Sequence, residues 1–299
     1  MNVTIAAAQY PITEHKSLSD WRVHTEGWVS RAVQQQAELL VFPEYGSMEL
    51  VSLFSEEIRQ DIRRQVREMD ALKADFCQTF ADLAHQYKVV IVAPSFPELV
   101  EQELYNRAYV FSPKGLIGYQ DKFFMTRFEN EEWGIASAPK YLSLFEADWG
   151  SFGIQICYDS EFSISSQLLC SLGASVIIAP SCTETIRGAT RVHVGCRARA
   201  LENQCYTVVS QTVGNALWSP AVDVNYGFAA FYTTPDKGMP EEGIIATHTP
   251  QAEEWLVQTL DVSKIQEVRT DGHVFNFKDH KQLHMGFMED QVKIRRYTL

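Results

Sequence analysis

Gly153-Ile154-Gln155-Ile156-Cys157-Tyr158-Asp159-Ser160 reads as an apolar strand that stops at a cysteine, followed by a turn and the helical pattern Ser163 to Leu172. A side chain at such a junction stands clear of the sheet. A helix N-terminus close by would favour a thiolate through its partial positive charge. Cys157 is therefore a candidate nucleophile, provided that a base and a cation converge on it from elsewhere in the chain.

Working outward, apolar strands alternate with helical patterns in both directions. Strand Val3 to Tyr10, helix Asp20 to Gln35 and strand Leu39 to Phe42 come first, then charged helical sequence from Ser55 to Tyr87 and strand Val89 to Ala93. Two alternating strands, Leu104 to Phe111 and Leu116 to Lys122, flank the turn Ser112-Pro113-Lys114-Gly115. Beyond an irregular stretch, Phe124 to Lys140, come strands at Tyr141 to Glu146 and Phe152 to Cys157 and the helix Ser163 to Leu172. Strand Val176 to Pro180, helix Thr190 to Asn203 and strand Tyr206 to Val213 follow, then strand-like segments near Phe228 to Thr233 and Trp255 to Asp261 and a mostly polar tail. Helices separating apolar strands predict an α/β protein. No Gly/Ser/Pro-rich linker divides the chain, which predicts one domain over residues 1–270, with 271–299 a C-terminal tail that could reach a subunit interface.

The totals narrow the function. The 299 residues are 45% hydrophobic and 21% charged, the composition of an ordinary globular protein. A net charge of −12 with no basic run to offset it argues against nucleic acid or an anionic membrane surface as partner. No apolar run approaches the roughly 20 residues that span a bilayer. The start Met1-Asn2-Val3-Thr4-Ile5 looks like a strand rather than a signal peptide, so a cytoplasmic protein is expected. The six cysteines form no C-x-x-C pair; Cys77, Cys170, Cys196 and Cys205 read as reduced packing residues. His280 and His284 have helical spacing but no clear third ligand, and no metal is expected. No G-x-S-x-G elbow, P-loop or dinucleotide fingerprint is present, and no cofactor is implied by motif.

Three polar residues stand where apolar strands end: Glu44 after Leu39-Leu40-Val41-Phe42-Pro43, Lys122 after Leu116 to Asp121, and Cys157. Ligands of open α/β sheets bind in the crevice at the strand C-termini, so three such ends can meet in one pocket. The types are complementary: a carboxylate can take a thiol proton, and an ammonium can hold the oxyanion formed when sulfur attacks a polarised carbon. Each has a plainer reading as well. A lone Glu or Lys after a strand is usually solvated, and a lone Cys usually packs.

Together the segments resemble the nitrilase superfamily of carbon–nitrogen hydrolases, which use a Glu-Lys-Cys triad. Leu40-Val41-Phe42-Pro43-Glu44-Tyr45, Tyr119-Gln120-Asp121-Lys122 and Gly153-Ile154-Gln155-Ile156-Cys157-Tyr158-Asp159 carry the likeness in the family's order, over residues 3 to about 260. The resemblance implies a four-layer αββα sandwich with no metal or organic cofactor. Glu44 would be the general base, Lys122 the oxyanion stabiliser and Cys157 the nucleophile, with the backbone N–H of Tyr158 as a second oxyanion donor. Family members often carry a further active-site glutamate. Lys122-Phe-Phe-Met-Thr126-Arg-Phe-Glu129-Asn-Glu-Glu-Trp133-Gly134 points to Glu129, with Glu131 and Glu132 as neighbours that could be a solvated acidic loop. Cys182, which follows another apolar strand, competes as a nucleophile but lacks a nearby cation. It is expected to line the pocket with Thr183, Tyr158, Trp133 and Glu161. Arg187 and Arg191 could clamp a substrate carboxylate, or be paired or solvated; Glu161 in the pocket would suit an amine-bearing substrate.

Cys-Tyr-Asp resembles the amidase branches, whereas nitrilases proper usually show Cys-Trp-Glu; the Thr/Trp/Gly spacing around Glu129 leans toward nitrilases. The expected activity is hydrolysis of a small amide through a thioester, with a nitrile substrate or acyl transfer to an amine as alternatives and an inactive binding member as the remaining one. The expected partners are the small substrate and a second copy of the chain, through the helices near 163–172 and 190–203.

Overall fold

The computed structural model describes residues 1–289 and 295–296. The chain opens with strand β1 (Asn2–Pro11), helix α1 (Leu18–Gln34) and strand β2 (Leu39–Val41). A 3₁₀ turn (Gly46–Leu53) leads to helices α2 (Glu56–Arg59), α3 (Ile62–Glu68) and α4 (Lys73–Tyr87). Strands β3 (Val90–Val92), β4 (Phe96–Val100), β5 (Glu103–Ser112) and β6 (Gly115–Asp121) complete the first half. The second half runs β7 (Leu144–Ala147), β8 (Gly150–Ile154), α5 (Ser163–Ser171), β9 (Ala174–Ser181), α6 (Ile186–Asn203) and β10 (Tyr206–Asn215). Short strands β11 (Val224–Asn225), β12 (Ala230–Tyr232) and β13 (Ile244–Thr247), the long β14 (Trp255–Asp261) and helices α7 (Ser263–Asp271) and α8 (Asn276–Met288) close it.

Strand β1 joins two sheets. Its first half pairs in parallel with β2 at Ile5–Ala7 and antiparallel with β14, and its last residues, Gln9–Pro11, pair in parallel with β10. The order β4-β5-β3-β2-β1-β10-β9-β8-β7 follows. Side chains alternate faces along a strand, so each strand sorts its residues between layers. Ile5, Ala7, Leu39 and Val41 share one core with Ile154, Val176 and Ile178 of the second sheet, between the two sheets. Ala6, Ala8, Leu40 and Phe42 point the other way, into Trp21, Trp28, Phe76 and Phe80 of α1 and α4. Ile177 turns from the inner core toward Leu169 and Cys170 of α5. Helix, sheet, sheet, helix: the expected four-layer αββα sandwich is the architecture observed.

Several local expectations change. The helical run from Ser55 to Tyr87 is broken at Gln60–Asp61 and again by a 3₁₀ turn at Met69–Leu72, because Asp61 caps a new helix through Arg64 N. Strand β4 lies in a segment that carries no strong alternation. The irregular stretch contains a π turn, Glu129–Trp133. The polar tail folds into α7 and α8. Here Gln167 Nε2 donates to His280 O, and Arg269 lies 4.1 Å from the Phe277 ring centroid. The side chain of His284, the other half of the spaced pair, and Val292 to Ile294 lie outside what is described. Among the described residues no helix is long and apolar enough to cross a membrane.

Candidate active site

Strand β8 ends at Ile154, three residues before the position expected, and Cys157 opens a 3₁₀ turn, Cys157–Glu161, with φ +48°. A non-glycine residue in the left-handed region is strained and persists only where the surroundings hold it. Helix α5 starts six residues later, at Ser163. The thiol thus does not sit directly at the start of α5, whereas Thr185 and Gly188 at the N-terminus of α6 line the same cavity. Burial, followed by the nearby Glu44, pushes the Cys157 thiol well above its ordinary pKa. At rest the proton sits on sulfur, and a base is required.

The base candidate is adjacent. Glu44 follows β2 and is 1% exposed. Its Oε1 accepts from Lys122 Nζ at 2.8 Å and from Asn106 Nδ2 at 2.8 Å, and its Oε2 accepts from the backbone N–H of Cys182 at 2.8 Å. The Cys157 thiol, which points to Cys182 O at 3.8 Å, lies beside this carboxylate in the same cavity. Lys122, one residue past β6, is as deeply buried and bridges to Glu129 Oε2 at 2.6 Å. Glu129 Oε2 further accepts from Thr126 N and Thr126 Oγ1, both at 2.9 Å. Its Oε1 accepts from Tyr45 Oη at 2.8 Å and Asn106 Nδ2 at 3.3 Å.

One ammonium thus serves two buried carboxylates, and their surroundings push them apart. Burial raises Glu44, and repulsion from Glu129 adds to that against the pull of Lys122. Burial also acts to raise Glu129, but Lys122 and the bonds from Thr126 and Tyr45 outweigh it, and its pKa is lowered. Burial works against the charge of Lys122, yet the two glutamates hold its pKa well above the ordinary value. Such a separation favours the ionised form of Glu129 and makes Glu44 the easier of the two to protonate. Glu131 and Glu132 are exposed, and Glu131 pairs with Arg127, so the buried member of the acidic trio is Glu129.

A cavity of about 210 Å³ opens onto this cluster. Glu44, Lys122, Cys157 and Glu129 form its floor; Tyr158, Trp133, Glu161, Cys182 and Thr183 also line it. The triad candidates, Glu129 and the five expected lining residues therefore meet there, and Arg191 joins them, whereas Arg187, Glu131 and Glu132 do not line the cavity. Cys182 takes part through its backbone, since its carbonyl lies 3.8 Å from Cys157 Sγ, and burial pushes its own thiol above the usual range. Arg191 is paired with Glu161 at 3.3 Å and Arg187 is exposed. Cys170, Cys196 and Cys205 are buried packing residues, and Cys77 packs half-buried.

Asn106 was not singled out by sequence, and Tyr45, Thr126 and Asp159 were read there only as parts of motifs, without their contacts. Asp159 takes backbone N–H bonds from Phe123 at 2.8 Å and Phe124 at 2.9 Å, which ties the turn of Cys157 to the segment after Lys122. Asn106 had a visible signal: it occupies an inward position between Leu104 and Ala108, where a polar side chain needs a polar partner.

Comparison with known proteins supplies the family. The carbon–nitrogen hydrolase family model matches residues 4–270. The chain belongs to the carbon–nitrogen hydrolase family. The probable hydrolase YhcX of Bacillus subtilis (strain 168) is 33% identical over 280 residues, covering 94% of this chain but 54% of that protein. The chain thus spans about half the length of that relative. The omega-amidase NIT3 of Saccharomyces cerevisiae is 25% identical over 256 residues, 81% of each chain. Its crystal structure, described as a member of branch 10 of the nitrilase superfamily, superposes with a TM-score of 0.71 at 23% identity, covering 90% of this chain and 93% of that one. A carbon–nitrogen hydrolase of Helicobacter pylori G27 reaches a TM-score of 0.75 at 16% identity over 98% and 99% of the two chains. Both likenesses show the same fold.

Proposed function

We propose that this hydrolase cleaves the C–N bond of a small amide through a thioester on Cys157. The observation that carries the reading is the single buried cluster in which Lys122 Nζ touches both Glu44 and Glu129 at the floor of the cavity beside the Cys157 thiol. Glu44, with its raised pKa, takes the thiol proton as sulfur attacks the amide carbon. The oxyanion that forms is held by the third N–H of Lys122, the other two being engaged by the glutamates, and by the backbone N–H of Tyr158. Collapse breaks the C–N bond, and Glu44 returns the proton to the leaving nitrogen, which departs as ammonia or amine. Water, deprotonated by Glu44, then attacks the thioester and yields the free carboxylic acid and the resting thiol. Glu129 stays ionised throughout and keeps Lys122 charged and aimed.

An amide is preferred over a nitrile on the Cys157-Tyr158-Asp159 sequence, and the relatives described as omega-amidases point the same way. Intact-protein mass spectrometry of the wild type, acid-quenched during turnover of a panel of amides and nitriles, tests the reading: an acyl adduct is expected on Cys157, and it should be lost in Glu44→Gln, which lacks the base for acylation. No adduct from any compound would overturn it. Hydroxylamine added to the wild type separates hydrolysis from acyl transfer: capture of the acyl group shows a thioester open to amines.

We further infer that the protein works as a homodimer or larger homo-oligomer, covered over α5 and α6. Ile164, Leu168 and Leu172 form an exposed apolar stripe at helical spacing, and Val194 and Leu201 extend it on the neighbouring helix. Leu168→Glu with Val194→Glu should convert the oligomer to monomer in light scattering; a wild type that is already monomeric would overturn this.

A further inference from the structure

Behind the first sheet, outside the cavity, three ligand-type side chains converge. His15 lies in the loop after β1, His24 on α1 and Glu49 on the 3₁₀ turn Gly46–Leu53, five residues after Glu44. One ligand atom from each lies within 4.8 Å of both others. His15 is 7% exposed and Glu49 1%, while His24 is half-buried. Among the described residues His15 Nε2, His24 Nε2 and Glu49 Oε2 have no hydrogen-bond partner. Buried polar atoms are normally satisfied, and three orphans facing one point require an explanation.

An ion pair is the plainest account, because His15 Nε2 lies 3.3 Å from Glu49 Oε2. It leaves His24 unanswered. A protonated His15 would place a positive charge against His24, whose ring centroid is 5.0 Å from its own. Glu49 is already oriented: its Oε1 accepts from Tyr10 Oη at 2.7 Å and Trp21 Nε1 at 2.6 Å, which leaves Oε2 for the histidines. Outer hydrogen bonds of this kind fix ligating carboxylates in metal sites.

We propose that His15 Nε2, His24 Nε2 and Glu49 Oε2 bind one divalent first-row transition metal ion, zinc foremost, with water as the fourth ligand. Zinc bonds of about 2.0–2.1 Å in a tetrahedron set ligand atoms roughly 3.3 Å apart. The His15–Glu49 separation of 3.3 Å matches that edge, and His24, half-exposed on its helix, has about 1.5 Å or less to close. Two imidazoles with one carboxylate select zinc-like ions over magnesium or calcium, which take oxygen donors. The ion would clamp α1 and the loop after β1 onto the turn that continues from Glu44, a structural role independent of the proposed reaction.

The protein, loaded with Zn²⁺ and dialysed into metal-free buffer, is measured by inductively coupled plasma mass spectrometry for first-row metals. One equivalent per chain is expected, falling to under a tenth in His24→Ala. Zinc held instead by cavity thiols would survive that substitution, so retention in His24→Ala overturns the site, as does a wild type that holds no stoichiometric metal. Co²⁺ loading should give the visible bands of a tetrahedral N/O site without thiolate charge transfer. If His24→Ala fails to fold, His24→Gln, of similar size, carries the same two outcomes.

Discussion

Asn106→Ala probes whether Glu44 and Glu129 act as one hydrogen-bonded unit. The Asn106 amide is fully buried and donates to Glu44 at 2.8 Å and, at a longer 3.3 Å, to Glu129. A hydrogen bond to a charged group contributes about 1.5–3 kcal/mol, and leaving a buried carboxylate short of a donor costs at the upper end of that range. The shorter bond dominates, so the expected loss of stability is about 3 kcal/mol in urea unfolding at pH 7. The kinetic effect has a definite sign. Without its donor the Glu44 anion is less stable, its pKa rises further, and the acid limb of kcat/KM moves to higher pH. If the whole bond is lost at the transition state, kcat/KM at pH 7 falls roughly 10–100-fold. Asn106→Asp, similar in shape but a third buried carboxylate, should be worse on both counts. A stability loss below about 1 kcal/mol with an unmoved acid limb would refute the coupling of the two glutamates through Asn106.

Other perturbations follow from the same cluster. Lys122→Met leaves two buried carboxylates without their cation, a loss of about 3–5 kcal/mol at neutral pH. Both then ionise less readily in the folded state, so the deficit should shrink as pH falls toward 4; a deficit independent of pH in urea unfolding would count against it. Glu129→Gln removes the repulsion on Glu44 and leaves Lys122 to it alone, which lowers the Glu44 pKa and moves the acid limb of kcat/KM to lower pH. A limb that moved upward would show that Glu129 does not compete for Lys122. Gly195→Ala brings a Cβ to 2.9 Å from the backbone oxygen of Ser160, inside the turn that carries Cys157. Helix propensity favours Ala by about 1 kcal/mol, but overpacking against backbone costs about 1–3. A net loss of stability with reduced kcat is expected, and a stabilised variant with full activity would show that α6 does not brace the turn.

The architecture was legible because it is periodic. Alternation in Ile5-Ala6-Ala7-Ala8 and Leu39-Leu40-Val41-Phe42 gives each strand two apolar faces, and only a sheet covered on both sides buries both. Strand β4 escaped because Pro97 and Glu98 interrupt the pattern, and Glu98 is satisfied by Tyr109 Oη at 2.6 Å, which no local window reveals. Cys157, Glu44 and Lys122 were legible as polar residues ending apolar runs. The hydrogen bonds of Tyr45, Thr126 and Asn106 were not, since they span 84, 3 and 62 residues of sequence, and a tyrosine or threonine in a loop carries no mark of its partner. The turn that carries the thiol was not legible for a related reason: the motif places Cys157 after a strand but does not say that the strand ends early.

That early end connects the fold to the chemistry. Tyr45, next to Glu44, has φ +54°, and Cys157 has φ +48°. Two non-glycine residues in the left-handed region, on turns from different sheets, are held by what surrounds them. Tyr45 N donates to Ser95 Oγ at 2.9 Å and its hydroxyl to Glu129. The turn after Cys157 is closed by Ser160 Oγ on the Cys157 carbonyl at 2.6 Å and anchored by Asp159 to the Phe123–Phe124 backbone. A regular strand would have continued past Ile154 and alternated its side chains between the two cores. Breaking the period turns the thiol out of that alternation toward the one place where a carboxylate of raised pKa and a buried ammonium already meet. The strain at these two positions is thus set against anchors that run through Glu129 and Asp159, so loosening either anchor should disturb Cys157 and Glu44 together.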